Sequence, residues 1–288
     1  MTDPGSPTVR RRRLAAELRR LRERSRRTAD QVAKELGWSP SKISRIEQAR
    51  TGPKLPDVES LLRLYGIEGT HRDELLALAR EAERKGWWEA YSDALPPRYG
   101  AYIGMEAEAE SIWEWQPHVV PGLLQTEDYA RQVIRLAQST ATVPPREIER
   151  RVETRLARQQ VLNRDPPLTL SVVLDESVLL RRFGDNSVMR GQFDRLVEAA
   201  QLPNVTLQVL RLDGSHPVIT QNFVLLQFPR VHEIVLHDIV HIEHMDAVLY
   251  VEEEVATYRY RLAFERLVAA ALTSAESLEL ISKVARGV

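Results

Sequence analysis

The sequence of 288 residues contains no cysteine, and no apolar run approaches the roughly 20 residues that a membrane-spanning helix needs. The lack of cysteine excludes disulfides, thiolate zinc sites and a cysteine nucleophile. The first residues, MTDPGSPTVRRRR, also lack the apolar segment of a signal peptide. We therefore expect a cytoplasmic protein that does not contact a membrane.

Sequence motifs typical of enzymes are also missing. The chain has no glycine-rich phosphate loop, no serine nucleophile elbow and no HExxH zinc motif. Asp175 and Glu176 are adjacent, but neighbouring residues of a strand point to opposite faces and do not form an acid–base pair. We therefore predict that the protein is not an enzyme and that it needs no cofactor.

Charge is distributed unevenly along the chain, although the net charge is only −1. Residues 1–50 contain fourteen Lys and Arg against six Asp and Glu, a balance of +8. Residues 51–288 contain 26 against 35, a balance of −9. A basic segment joined to an acidic remainder indicates that only the front of the chain contacts a polyanion such as nucleic acid.

Apolar periodicity and turn residues predict a multidomain chain, in which an all-α five-helix domain precedes an α+β domain. The predicted regions are a basic tail at 1–13, the helical domain at 14–85, a linker containing Trp and Pro at 86–102, and the α+β domain at 103–288. Strands of the second domain are predicted at 111–115, 168–174, 205–212, 222–228 and 233–243. The run Arg10–Arg13 suits either a flexible arm on DNA or a solvated segment before a helix that starts at Leu14.

The segment GWSPSKISRIEQA, residues 37–49, has the features of a short capped helix. Gly37 supplies a turn, Ser39 is a good N-cap, and Pro40 suits the first helical position. At 100° per residue, the two isoleucines share one face. The opposite face carries polar residues, namely Ser41, Ser44, Arg45 and Gln48.

These polar residues match what a DNA-reading helix requires. A helix in the major groove, about 12 Å wide, needs small residues near its N-terminus and an Arg that can bond guanine. The preceding helix begins with the capping-box pattern Thr28-Ala-Asp-Gln31, and the N–H groups at Thr28, Ala29 and Asp30 can face a phosphate. We predict that residues 39–49 read DNA. The alternative is a solvated amphipathic helix in a small bundle.

The stretch TADQVAKELGWSPSKISRIEQA resembles the helix-turn-helix of the phage-repressor-like (XRE) family. The resemblance implies that Pro40, Ser41, Ser44 and Arg45 face base edges and that Lys42 flanks them. It also implies a structural pair between Arg22 and Glu47 that ties the first helix to the third.

The chain departs from this family pattern at two places. Arg26 and Arg27 stand where the family often has Gly-Leu, and Ala29 stands where it often has a Gln that contacts phosphate. We expect the two arginines to replace that contact while base reading is kept.

The longer half of the chain also resembles a known type of protein. Its motifs VVPGLLQTEDYARQVI, LTLSVVLDESVLLRR, NVTLQVL and YRYRLAFERL, in this order, are similar to the C-terminal domain of actinobacterial WhiJ-like regulators. The resemblance implies a transcriptional regulator or an antitoxin-like protein, often encoded beside a very small partner protein.

The segment HDIVHIEHMD is the best candidate for a metal site. His237, His241 and His244 are chemically suited to zinc. On a strand, however, His237 and His241 share one face and His244 points to the other, so that a metal would need a bulge or an outside ligand. The alternative is that they are polar residues of an edge strand.

The helix after residue 252 is apolar on two sides. Val255, Tyr258 and Leu262 form one stripe, and a second stripe on the far side consists of Tyr260, Phe264, Leu267 and Ala271. A helix of this kind lies between two layers. Either both layers belong to the domain, or the second stripe is a subunit or partner interface.

The sequence thus predicts a sequence-specific transcriptional regulator, which binds double-stranded DNA as a homodimer with half-sites about 34 Å apart. Its second domain would receive a ligand or a small protein encoded nearby. The first alternative is an antitoxin-like protein that sequesters a small partner and regulates its own expression. The second is a sensor of a metal or a small molecule.

Overall fold

A computed structural model describes residues 7–49, 52–84, 86–91, 93–95, 99–137, 144–231, 236–244 and 247–288. The chain divides into two compact units, Met1–Glu89 with Phe228–Leu236, and Ala90–Gln227 with His237–Val288. The first unit is built from helices and the second combines helices with one sheet. The predicted fold class, an all-α five-helix domain followed by an α+β domain, is confirmed.

The first unit contains five α-helices within its described residues, which are α1 Pro7–Arg24, α2 Ala29–Leu36, α3 Pro40–Glu47, α4 Leu55–Leu64 and α5 Gly69–Ala82. Their apolar faces share one core. Leu14, Leu18 and Leu21 follow the helical i, i+4, i+7 spacing and pack in that core with Ile43 and Ile46. One face of α1 and one face of α3 are therefore buried in the same core.

Helix α1 begins at Pro7, earlier than the start predicted at Leu14. The described part of the predicted tail, residues 7–13, is helical, so the flexible arm predicted as one alternative for Arg10–Arg13 is wrong. Val9 is buried, Arg13 is also buried, and Arg10 pairs with Glu81 of α5 at 3.2 Å. Burial of these side chains favours the helix over a free arm.

The second unit contains seven further α-helices among its described residues: α6 Tyr99–Glu108, α7 Glu127–Ala137, α8 Pro145–Arg158, α9 Ser177–Leu180, α10 Asn186–Ala199, α11 Glu254–Ala270 and α12 Ser274–Gly287. Its six strands are β1 Ser111–Gln116, β2 Thr169–Asp175, β3 Val205–Leu210, β4 Phe223–Gln227, β5 Ile239–Glu243 and β6 Val248–Val251. They form one sheet in the order β3-β2-β1-β4-β5-β6. The pairs β3-β2 and β2-β1 are parallel, and the other three pairs are antiparallel.

Elements of the second unit also differ from the sequence prediction. Helix α6 starts inside the range predicted as a linker, and β6 has no counterpart among the predicted strands. Strand β5 begins at Ile239, whereas the predicted strand began at 233, and residues 232–235 lie outside the described residues. The four residues of β6, VLYV, are all apolar and do not alternate with polar residues, so periodicity does not distinguish this strand from a short helical segment.

Helix α11 packs on one face of the sheet through the stripe that the sequence suggested as an interface. Phe264 is 3% exposed and Leu267 is fully buried, while Tyr260 and Ala271 pack beside them. The Phe264 ring stacks on Trp113 of β1 with their centroids 5.3 Å apart. Of the two alternatives for Tyr260, Phe264, Leu267 and Ala271, the subunit or partner interface is therefore wrong, because these side chains cover the apolar face of the sheet within the unit.

A buried polar cluster lies among α6, α8 and β1. Arg158 donates two hydrogen bonds to Glu106, at 2.7 and 2.6 Å, and both residues are buried. Glu114 of β1 accepts a hydrogen bond from Gln116 at 2.7 Å, and burial raises the pKa of Glu114 to about 7. Burial, together with the charge of Arg158, lowers the pKa of His241 to about 4.

The raised pKa of Glu114 predicts a loss of stability above neutral pH. The folded state holds the Glu114 proton up to about pH 7, whereas an unfolded glutamate releases it near 4.5. Stability from this group is complete below 4.5 and is lost as the pH rises through 7. From about pH 6 to about pH 8, the free energy of unfolding should fall by about 1 kcal/mol more for the wild type than for Glu114→Gln.

Urea unfolding of both proteins at the two pH values measures this difference. The contribution of His241 changes in the opposite direction, but it is common to both proteins and cancels in the comparison. Equal pH dependence of the two proteins would contradict the assignment.

The packing of α11 predicts a second, contrasting pair of variants. Phe264→Ala should lower the free energy of unfolding by about 3 to 5 kcal/mol, because it opens a cavity in the core. Tyr258→Ala, on the exposed side of the same helix, should change it by less than about 0.5 kcal/mol. Thermal and urea unfolding measure both, and a mild effect of Phe264→Ala would place that stripe outside the core.

Candidate nucleic-acid interface

The turn between α2 and α3 is defined by features of the local sequence. Thr28 caps α2, since its hydroxyl accepts from the Gln31 N–H at 3.2 Å while the Gln31 side chain accepts from the Thr28 N–H at 2.8 Å. Gly37 ends α2 with φ of 66°, a left-handed conformation that glycine adopts without strain. The two helices are therefore separated by a short turn whose geometry depends on glycine.

Helix α3 begins with Pro40 in its first turn and an extended Ser39 before it. The Ser39 hydroxyl does not cap the helix, but lies 3.0 Å from the hydroxyl of Ser41. Ile43 and Ile46 are buried in the core of the first unit. Because two residues three positions apart are anchored, the direction of every other side chain of α3 follows from the helical repeat.

The outward face of α3 consists of the residues that the sequence singled out. Ser41, Arg45 and Gln48 are exposed and Ser44 is half-buried. Gln48 donates a hydrogen bond to the Ser44 hydroxyl at 3.1 Å. Arg45 has no ion pair or hydrogen bond within the described part of the chain, so that its guanidinium donors remain open to a bound molecule.

Lys42 occupies a different environment from its neighbours. Its ammonium group donates to Asp57 of α4 at 2.7 Å and lies 3.6 Å from the centre of the Trp38 ring. The charge of Lys42 is thus partly neutralised inside the unit. This contact ties α3 to α4, in addition to any role at a flanking position.

Arg22 and Glu47 join α1 to α3. The Arg22 guanidinium donates to both carboxylate oxygens of Glu47, at 2.7 and 2.9 Å, and to the Arg27 carbonyl at 2.9 Å. These hydrogen bonds to Glu47 raise the pKa of Arg22 above its ordinary value. A two-bond contact of this type restricts orientation as well as distance, so it helps to set the angle of α3 on α1.

The arginines before α2 are not equivalent. Arg26 is exposed and has φ of 56°, a conformation that is unfavourable for a residue with a side chain. Arg27 is half-buried and pairs with Glu35 of α2. Of the two, Arg26 retains the more accessible charge beside the start of α2.

The three histidines suggested as metal ligands are dispersed. His237 precedes β5 and is exposed, while the buried His241 ring lies between Tyr102 and Tyr250 with centroids 4.3 and 5.3 Å away. His244 is 3.2 Å from the Gln221 amide. No group of three His, Asp or Glu in the described residues is placed to hold a metal ion, and Asp246 lies outside those residues.

A groove of about 310 Å³ lies between α11 and the sheet. The stacked rings of Trp113 and Phe264 form one side. Ser171 and Thr206, which face each other across β2 and β3, contribute hydroxyl groups, and Gln208 contributes an amide. Sequence patterns did not indicate this groove, because its lining comes from four separate elements.

None of the helices in the described residues combines the length and apolar character that a membrane span demands.

A family model for a helix-turn-helix domain matches residues 13–75, which include α2, the turn and α3. This match supports a DNA-binding regulator rather than an enzyme. No curated protein and no solved structure matches the chain. A second family model, described as a domain of unknown function (DUF5753), matches residues 99–283, and because it spans more than half of the sequence, the chain belongs to the DUF5753 family.

Proposed function

We propose that this protein is a sequence-specific transcriptional regulator and that α3 reads bases in the major groove of double-stranded DNA. The observation that carries the proposal is the contrast between the two faces of α3. One face is held by Ile43, Ile46 and the Arg22–Glu47 pair. The other presents Arg45 without a partner among the described residues. A side chain kept open on a rigidly oriented helix suits base recognition, since an Arg can donate two hydrogen bonds to guanine.

The other residues of the interface have supporting roles in this proposal. Ser41, Ser44 and Gln48 form hydrogen bonds with bases or bridging water. Pro40, in the first turn of α3, is small enough for this end of the helix to approach the bases. The N–H of Ala29, at the N-terminus of α2, faces a phosphate, whereas the Thr28 N–H donates to the Gln31 side chain and Thr28 takes part through its position beside Ala29. Arg26 adds a phosphate contact, whereas Arg27 and Lys42 contribute less because carboxylates partly neutralise them.

The resemblance of residues 28–49 to XRE-family domains supports a dimer on two half-sites about one turn of DNA apart. In the cytoplasm the protein would then associate with the nucleoid. The similarity of the second unit to WhiJ-like regulators supports a role for this unit in receiving a signal. A small protein encoded nearby is one form of that signal.

A sensor of a small organic molecule is a second candidate, favoured by the groove at Trp113. Its volume is at the lower end of the range for ligand sites, and it combines aromatic surface with a few polar groups, as such sites do. The antitoxin-like alternative, in which the second unit mainly sequesters a small protein, uses the same DNA-binding unit. Genes adjacent to this one and ligand-dependent thermal shifts distinguish these alternatives.

Replacing the open arginine tests the main proposal. Genome-wide pull-down of DNA with the purified protein should first identify the specific sites. Arg45→Ala should then weaken binding to such a site by about 1 to 3 kcal/mol and barely change binding to unrelated DNA, because a base contact is lost. Arg190→Ala, which removes an exposed arginine in the second unit, serves as a control and should bind both DNAs like the wild type.

Fluorescence anisotropy with the specific and the unrelated duplex at one salt concentration measures these differences. An equal loss of affinity for both DNAs would contradict base reading by Arg45. Failure of the wild type to enrich any DNA would remove the proposal altogether.

A further inference from the structure

A row of side chains crosses the sheet on the face that α11 covers. Thr206, Ser171, Trp113 and Leu225 follow one another in register from β3 to β4. Leu225 is fully buried in the core that includes Phe264 of α11, whereas Ser171 is half-buried and Thr206 is exposed. The cover that α11 provides therefore ends at Trp113, where the row changes from apolar to polar side chains.

The groove of about 310 Å³ lies at this boundary. Phe264 and Val268, which are about one helical turn apart, form its wall on α11, while Ser171 and Thr206 belong to its floor on the sheet. Glu265 follows Phe264 in the helix and is exposed at the rim. Aromatic and aliphatic surface beside a few polar groups is an arrangement that suits a small ligand with an apolar body.

The polar groups of the groove are not used by the fold. No described residue forms a hydrogen bond with the side-chain hydroxyl of Ser171 or of Thr206. Gln208 donates its amide N–H to the Leu272 carbonyl at 2.8 Å, and no donor among the described residues bonds the amide oxygen. Polar groups of this kind are satisfied by water or by a ligand. The groove therefore has three positions at which a ligand can form hydrogen bonds.

The charge of the lining indicates the class of ligand. Glu265 is the single charged residue among the described residues that line the groove, and it forms no ion pair with any of the described residues. The Arg261 guanidinium lies 4.9 Å from the centre of the Trp113 ring, but Asp238 pairs with it and neutralises its charge. Carboxylate and amide oxygens accept hydrogen bonds and do not donate them, so Glu265 and Gln208 are both complemented by donors. A bound anion would face a carboxylate, whereas a protonated amine neutralises it.

We propose that this groove binds a small organic cation that carries a protonated amine on an apolar ring. The ring packs against Phe264 and Trp113, and the ammonium group pairs with Glu265. A further donor of the ligand, such as a ring N–H, bonds the Gln208 amide oxygen. This inference rests on the second candidate of the proposed function, the sensor of a small organic molecule, and names the chemical class of its ligand.

Two probes that share a ring and differ in charge test this class. Tryptamine has an indole ring and a primary ammonium group, and indole-3-acetate is its anionic counterpart. Isothermal titration of the full-length protein should show binding of tryptamine in the millimolar range and no binding of indole-3-acetate. The temperature of unfolding should rise with tryptamine alone, because a ligand that binds only the folded state stabilises it. Failure of tryptamine to bind, or equal binding of both probes, would overturn the proposal.

Reversal of the charge at the rim tests the role of the carboxylate. Glu265→Lys should weaken tryptamine binding by about tenfold and should allow indole-3-acetate to bind, because the lining then carries a positive charge. Glu279→Lys, which makes the same change at an exposed glutamate of α12 outside the groove, is the control and should bind both probes like the wild type. An unchanged preference of Glu265→Lys for tryptamine would contradict the proposal.

Filling the groove tests the location of the site. Thr206 is exposed on β3, so Thr206→Trp should occupy the groove without disturbing the core, and its circular dichroism should stay like that of the wild type. This variant should bind neither probe. Binding of tryptamine by folded Thr206→Trp, with the affinity of the wild type, would place the ligand elsewhere and refute this site.

The DNA pull-down separates this inference from the proposed function. If the wild type enriches specific DNA but does not bind tryptamine, the ligand class is wrong and the DNA-binding regulator stands. If the wild type binds tryptamine through Glu265 but enriches no DNA, the site stands and the regulator is refuted.

Discussion

The burial of Ile43 and Ile46 is the constraint on which the DNA-binding unit depends. Once these two side chains are anchored beside Leu14, Leu18 and Leu21, the helical repeat determines which residues of α3 turn outward. The Arg22–Glu47 contact then limits rotation of α3 against α1. Apolar burial supplies most of the stabilisation, while the charged pair supplies orientation, which a non-directional hydrophobic contact cannot provide.

The second unit relies on a different distribution of forces. One face of its sheet is covered by α11 through aromatic and aliphatic contacts, and a buried set of charged and polar groups lies near β1. The charges of Glu106 and Arg158 neutralise each other there, whereas the nearby Glu114 has a raised pKa because it is buried. A buried pair of this kind contributes little net stability, but removal of one partner leaves an uncompensated charge.

The two units also differ in the way they present charge. Part of the positive charge of residues 1–50 is neutralised by salt bridges within the unit, such as Arg10–Glu81, Arg27–Glu35 and Lys42–Asp57. The charge available to a polyanion is therefore smaller than the sequence total.

Local sequence determined the helices and the turn of the DNA-binding unit, because caps, a left-handed glycine and the spacing of Ile43 and Ile46 act over a few residues. Local sequence also predicted five strands of the sheet, so runs of β-forming residues indicated where these strands lie. Only the tertiary structure decided that the arginine run is helical, that Lys42 binds Asp57, and which stripe of α11 is buried. Each of these features depends on contacts between residues far apart in sequence. When a helix has two similar apolar stripes, its sequence does not show which stripe is buried, because that depends on which one packs against the sheet.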